Sequence, residues 1–290
     1  MRYQFRHRTS LKPRNNINTQ TSKQIQEFNS CIKRLYLQTR RRPSNIIINL
    51  IQPMLWLILF GALFQNAPTE LFTDEKIKYK EFLNPGIIIF TAFSSSINAG
   101  LPIIFDREFG FLNRILVSPI LNTQSLIYSC ICHTWFITSI QIFTITIFNT
   151  YQTKHELSIH QLLVILLIST LIITNISSLS ICSAFILPGH IEFIALTTLF
   201  INLPTLFAST ALAPLSFMPY WLQVIVCMNP LSYAIEIIRQ NNFNQLNSLH
   251  AEIINTIWFH IDIKSSLIIL ILISLMSLRL VNMIIKYKYE

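Results

Sequence analysis

Charge is scarce in this chain of 290 residues. Only 12% of them are Asp, Glu, Lys or Arg, about half the ~25% of a soluble domain. With 52% hydrophobic residues and a mean hydropathy of +0.49, the deficit excludes an ordinary soluble enzyme and a disordered chain alike. Glycine is scarce too. The five glycines (Gly61, Gly86, Gly100, Gly110 and Gly189) include no two that are five apart, so the G-x-x-x-x-G-K-[ST] phosphate cradle is absent. Five cysteines (Cys31, Cys130, Cys132, Cys182 and Cys227) lack the paired spacing of a secreted disulfide framework. Cys130, Cys132 and His133 are neighbours, but on a helix positions i and i+2 point about 200° apart and do not converge on one metal ion. They read as helix packing. No Ser, His and carboxylate constellation stands out either, and the seven histidines are scattered, mostly over the tail and loops.

What remains is apolar bulk of an unusual kind. There are 50 Ile against 5 Val and 11 Ala. Bilayer physics asks for apolar side chains but does not choose Ile this strongly, and Ile and Asn codons are rich in A and T. The composition points to an AT-rich genome, such as that of an organelle or a reduced bacterium.

The net charge of +9 is unevenly placed. Residues 1–42 carry eleven Lys or Arg and one acid, a net +10, which leaves −1 for the rest. A basic flank immediately before the first apolar run is the positive-inside signature of a membrane protein. It is not a surface for nucleic acid.

Residues 1–21 read as a basic, disordered tail. Residues 22–43 follow as an amphipathic helix, with Ile25, Phe28, Ile32, Leu35 and Tyr36 at helical spacing. It is too charged to span and is predicted to lie on the membrane surface. Its basic residues Lys33, Arg34, Arg40, Arg41 and Arg42 face anionic lipid, at about 1 kcal/mol for each of the last three.

Residues 44–287 hold six predicted spans, at 45–65, 85–105, 125–149, 161–187, 193–213 and 265–285. Pro85 is expected in the first turn of the second span, where its missing N–H costs nothing. Five of the six contain no Lys, Arg, Asp or Glu, which disfavours an ion-coupled carrier. Arg279 lies near the end of the sixth and can snorkel. Between the last two spans, Pro214, Pro219 and Pro230 break the apolar segment 214–243, predicted to be re-entrant on the outer side. With both termini inside, the inner parts hold 16 of the 22 basic residues and the outer parts 6.

The loop 106–119 mixes charge with aromatic residues. Phe109, Phe111 and Leu112 offer apolar anchors, ringed by Asp106, Arg107, Glu108 and Arg114. This reads as a docking helix for a soluble partner.

Several stretches in their order along the chain resemble one known family. They are Arg41-Arg42-Pro43, Gln52-Pro53-Met54-Leu55-Trp56, Phe82-Leu83-Asn84-Pro85-Gly86 and Asp106-Arg107-Glu108-Phe109-Gly110-Phe111-Leu112 with Arg114 and Leu116-Val117-Ser118-Pro119. The last are Met218-Pro219-Tyr220-Trp221-Leu222-Gln223 and Asn229-Pro230-Leu231-Ser232-Tyr233-Ala234 with Arg239. The chain resembles the ABC-2 type permeases, the membrane subunits of ATP-binding-cassette exporters, and among them most those encoded in the plastid genomes of red and related algae.

The resemblance implies an all-α fold of six transmembrane helices preceded by an interface helix, with two copies forming the pore. It makes 106–119 the coupling loop seated on a separate ATPase subunit, through Asp106, Arg107, Glu108, Phe109, Gly110, Phe111 and Arg114. It also implies that Pro219, Trp221, Asn229, Pro230, Tyr233 and Arg239 build the outer re-entrant segment. ATP and magnesium would sit on the partner, and this chain would bind no cofactor or metal. The expected place is a plastid membrane, with a bacterial inner membrane as the alternative. The competing function is a membrane assembly or scaffold factor of the same fold, since fold alone does not settle activity.

Overall fold

The computed structural model describes residues 17–64, 79–111, 124–153, 158–186, 191–242, 252–255 and 260–289. In chain order the elements are α1 (Ile17–Arg41), α2 (Ser44–Leu63), α3 (Tyr79–Ser96), α4 (Leu101–Glu108), α5 (Gln124–Thr153) and α6 (Ile159–Ile186). There follow α7 (Ile191–Phe207), a 3-10 turn (Leu215–Phe217), α8 (Tyr220–Met228), α9 (Pro230–Asn242), a small hairpin of β1 (Glu252–Asn255) and β2 (His260–Asp262), and α10 (Ile263–Tyr289). Helix dominates, and the chain is a multi-pass membrane protein. Among the described residues, five segments are long and apolar enough to cross a bilayer, α2, α3 with α4, α5, α6 and α10, or six if the bent pair α8 and α9 is one span.

The fifth expected span differs. Residues 193–213 were to cross, and α7 covers the first part of that stretch with 17 residues, about 25 Å at ~1.5 Å per residue, at the short end of what a span needs. It stops at Phe207 because the Asn229 side-chain amide takes the carbonyls of Ala208 (2.7 Å) and Thr205 (3.4 Å) at its end. The chain then turns into α8 and α9, which meet at 85°. That sharp bend is what a broken, re-entrant segment requires.

Two boundaries also move. Helix α1 begins at Ile17, inside the segment read as a disordered tail; residues 1–16 lie outside the described residues. Helix α3 begins at Tyr79, so Pro85 is inside it and buried rather than in a first turn. A proline there removes one backbone bond. In a membrane such groups are re-satisfied by neighbours.

Helix α3 is the central element. Together with α4 it is mostly buried, whereas α2 is mostly exposed. A helix apolar on every side belongs inside, and Phe82, Leu83, Ile87, Ile88, Ile89, Phe90 and Phe93 make α3 the axis of the main core with α5, α6 and α9. A second cluster lies nearer the basic end, where Leu35 of α1 meets Ile103 and Ile104 of α4, Ile127 of α5 and Ile181 of α6. The outward faces of α2 and α10 stay apolar, with Ile48, Leu55, Leu59, Leu272 and Met276 exposed. Apolar surface this extensive faces lipid or another protein.

Helices α3 and α4 form one span broken at residues 97–100, where the break is stitched to α6. The Ser180 hydroxyl donates to the Ile97 carbonyl at 2.6 Å and accepts from the Gly100 N–H at 3.0 Å. At the other end of α3, Gly86 lets the helix touch the turn after α7. A Cβ built there would lie 2.5 Å from the Ala211 carbonyl oxygen and 2.7 Å from its Cα. Both obstacles are backbone. Gly86→Ala is therefore expected to destabilise the protein by about 1–3 kcal/mol, as overpacking does, in thermal unfolding of the detergent-solubilised chain. An unchanged unfolding temperature would show that the turn at 208–213 yields freely.

Candidate functional site

The Arg-rich end of the molecule is organised by α1, which packs along α5 and meets α4 through Leu35 and Arg34. Helix α1 has three faces. Leu35 is buried and the half-buried Cys31 packs beside it in the inner cluster. Burial pushes the Cys31 thiol above its ordinary pKa, opposed by the nearby Arg34, so it stays protonated and serves packing. On one flank Ile25 and Tyr36 are exposed and suit a bilayer surface. On the other flank Arg34 turns toward α4. Lys33, Arg40, Arg41 and Arg42 are exposed. Thr39 Oγ1 lies 2.8 Å from His133 Nε2 of α5, tying the end of α1 to the bundle.

The segment 106–111 divides in two. Asp106 is 6% exposed and pairs with Arg34 at 2.7 Å. Arg107 donates from Nη1 to the Ala184 carbonyl at 2.8 Å, near the end of α6. A solvent-facing ring of charge was expected here, and the structure turns these two members inward. The reason is that α4 ends beside α1 and the end of α6, where an Arg and a free helix-end carbonyl await partners. Glu108 is exposed, and Arg114 lies outside the described residues together with the rest of 112–119.

After Glu108 helix α4 ends in a turn at Phe109 and Gly110. Gly110 has a φ of +68°, in the left-handed region that costs glycine least, and its N–H donates to the Arg107 carbonyl at 3.1 Å. The turn projects Phe109 into the open at 78% exposure, its ring parallel to that of Phe105 at 6.4 Å. Phe111 is also exposed, and the Arg34 guanidinium sits 5.4 Å above its ring. One side chain of α1 thus contacts both the acid and the aromatic of this turn. The sequence assigned Arg34 to the lipid surface; its position one turn before Gln38, off the apolar stripe, was the available hint.

At the opposite end, Pro219 precedes α8, and Trp221 on α8 is 67% exposed. Asn229 links α8 to α9. Its amide holds the end of α7, and its Oδ1 accepts from the Leu231 N–H at 3.0 Å, a cap on the helix that Pro230 opens. The Tyr233 hydroxyl donates to the Cys227 carbonyl. Arg239 is buried. It pairs with Glu236, donates from Nη2 to the Thr210 carbonyl at 2.9 Å and lies 3.8 Å over the Phe82 ring. The Tyr79 hydroxyl donates to the Leu212 carbonyl at 3.0 Å. Sequence reading singled out neither Tyr79 nor the Phe82 ring as part of this outer assembly. Among the described residues, no cluster of His, Cys, Asp and Glu is arranged to hold a metal ion.

Comparison with known proteins places these features in context. The profile of the ABC-2 type transporter family matches residues 26–243, a stretch that runs from α1 through α9. The chain is 44% identical over 262 residues to a protein of Porphyra purpurea provisionally named transport permease ycf38, covering 90% of this chain and 89% of that one. A protein of the same name from Cyanophora paradoxa is 45% identical over 262 residues, 90% of each chain. A third, from Pyropia yezoensis, is 44% identical over 265 residues, 91% of this chain and 90% of that one.

Proposed function

The chain belongs to the ABC-2 type transporter family, and from that premise we propose that it is the membrane-spanning permease subunit of an ATP-binding-cassette exporter. Two copies form the translocation path, and each seats a separate ATPase subunit on its 106–119 loop. ATP and magnesium belong to that partner. The algal relatives, called transport permeases, and the AT-rich composition support a plastid membrane as its location.

The observation that carries this reading is the construction of the turn at Phe109. Phe109 and Phe111 both stand exposed on this turn and offer an apolar surface that a partner can cover. Phe109 is presented on a fixed base: Asp106 and Arg107 are locked inward, Gly110 sets the turn, and Arg34 braces Phe111. A loop that merely lay on lipid would need none of these bonds. A rigid, projecting aromatic fits a pocket on a soluble partner. Pulling on that pocket moves α4 and α1 together, because the Arg34–Asp106 pair joins them.

Purification of the chain from its native membrane under mild detergent, with mass spectrometry of what travels with it, tests the assignment. A complex with two copies of this chain and two copies of a nucleotide-binding subunit, hydrolysing ATP, is the expected result. A stable native complex without any nucleotide-binding subunit would favour the scaffold reading instead.

A further inference from the structure

The span formed by α3 and α4 is interrupted where it leads away from the docking turn. Around the break the backbone bonds tighten, and Asn98, Ala99 and Leu101 donate to the carbonyls three residues back. Pro102, without an N–H, cannot restore the longer pattern. The Ser180 hydroxyl of α6 occupies the gap, between the Ile97 carbonyl at 2.6 Å and the Gly100 N–H at 3.0 Å. A side chain inserted into the ladder of a helix bends it. Gly100 also packs on α6, where a Cβ would lie 2.6 Å from the Ser180 carbonyl oxygen. One turn along α6, the Ala184 carbonyl accepts from Arg107 near the other end of α4. Helix α4 is therefore bound to α6 at both ends, while a break separates it from α3.

Helix α6 has what a transmitter needs. Its 28 residues include neither proline nor glycine, the usual sites of a kink. They measure about 42 Å at ~1.5 Å per residue, close to the ~40–45 Å of a bilayer with its headgroups. At its far end Gln161 Nε2 donates to the carbonyl of Asn242, the last residue of α9, at 3.3 Å. Ile165 and Ile168 join Ile235 and Ile238 of α9 in the main core. Arg239 of α9 in turn holds the Thr210 carbonyl and covers the Phe82 ring. Helix α1 is joined to α4 by Arg34 and Asp106, but it packs in the cluster at the docking end. We propose that α6 is the rod that carries movement of the docking turn across the membrane to α9, and that Ser180 is the positioning residue that seats α4 on it. The proposal rests on the reading of 106–111 as the seat of an ATPase. When the turn is displaced, α4 and α6 move as one body, and the break at 97–100 absorbs the displacement relative to α3.

Hydrogen exchange read by mass spectrometry tests both steps, with thermal unfolding to check that each variant is folded. On the full-length permease alone, Ser180→Ala should raise amide exchange over 97–108 at least tenfold. Ser180→Thr, which keeps the hydroxyl, should not. Ser183→Ala is the control, since its hydroxyl donates within α6, to the Ser180 carbonyl at 2.7 Å. On the native complex, trapping the ATPase with ATP and orthovanadate should change exchange over 236–242 at least threefold in the wild type, in Ser180→Thr and in Ser183→Ala. Ser180→Ala should lose most of that response while retaining the ATPase, because the docking turn is untouched. Gln161→Glu keeps an acceptor for the Ser158 N–H but lacks the donor to Asn242. It should lose at least half of the response, with exchange over 97–108 unchanged. Unchanged exchange over 97–108 in Ser180→Ala would overturn the proposal. So would a full response at 236–242 in Ser180→Ala or in Gln161→Glu, with the ATPase bound, because the movement would then travel by another helix. A wild-type complex without an ATPase would instead defeat the docking reading, and the proposal with it.

Discussion

Replacing Arg239 with alanine should destabilise the protein by roughly 3–5 kcal/mol, the cost of leaving one member of a buried ion pair without its partner. Arg239 and Glu236 sit one turn apart on α9 with side chains 6% and 14% exposed. Alanine would strand the Glu236 carboxylate. It would also release the Thr210 carbonyl and remove the cation from above the Phe82 ring, a contact worth ~2 kcal/mol when desolvated. Those partners lie on α9, on the turn after α7 and on α3, so one side chain fastens three elements. Arg239→Lys retains charge but not the planar fork, and should fall between wild type and alanine. Pairing Arg239→Met with Glu236→Gln removes both charges together and should recover at least half of the loss, because an apolar replacement of a buried pair is often tolerated. Chemical or thermal unfolding in detergent measures each step. A cost below ~1 kcal/mol for Arg239→Ala would mean that water reaches the pair and that the fastening is unimportant.

Arg239 also shows where sequence reading stops. Its place in a motif was visible; that it reaches α3 and the turn at Thr210 was not, because those partners lie 157 and 29 residues away. The membrane-crossing helices were legible for a simple reason. A bilayer forces every backbone group to be satisfied within its own helix, so a span must appear as a long apolar run. Boundaries obey weaker forces. Tyr79 to Asn84 continue α3 backward from Pro85, and Asn229 cuts α7 short through a bond that only the folded chain makes. The short runs Glu252–Asn255 and His260–Asp262 pair as an antiparallel hairpin, a pattern too brief to separate from a loop by periodicity. At the basic end the residues 106–111 were legible as unusual, yet their division was not. Asp106, Arg107 and Glu108 are consecutive and alike in sequence. What separates them is that Arg34 of α1 meets Asp106 and the end of α6 meets Arg107.

That division sets apart the residues that present the turn from those that build it. Phe109 buries little in this chain, being 78% exposed, so Phe109→Ala should leave stability within ~0.5 kcal/mol of wild type, as exposed substitutions do. If the ring fills a pocket on an ATPase partner, the same change should weaken that association by 2 kcal/mol or more, about a 30-fold rise in dissociation constant. Hydrolysis stimulated by transport should disappear with it. Arg114→Ala, removing a rim charge, should weaken association by less, and the difference should shrink as salt rises. Arg107→Ala should behave in the opposite way to Phe109→Ala. It frees the Ala184 carbonyl that Arg107 now satisfies, so its first effect should be a loss of stability, with weaker docking as a consequence. Gly110→Val places a β-branched residue at a φ of +68°, a strained conformation for it, and should redirect Phe109 and depress docking while the bundle stays folded. Co-purification of the ATPase with each variant at two salt concentrations, beside thermal unfolding of the permease alone, separates these outcomes. Full ATPase binding and full stimulated hydrolysis in Phe109→Ala would end the docking interpretation, and the turn would then be a surface feature held rigid for some other contact.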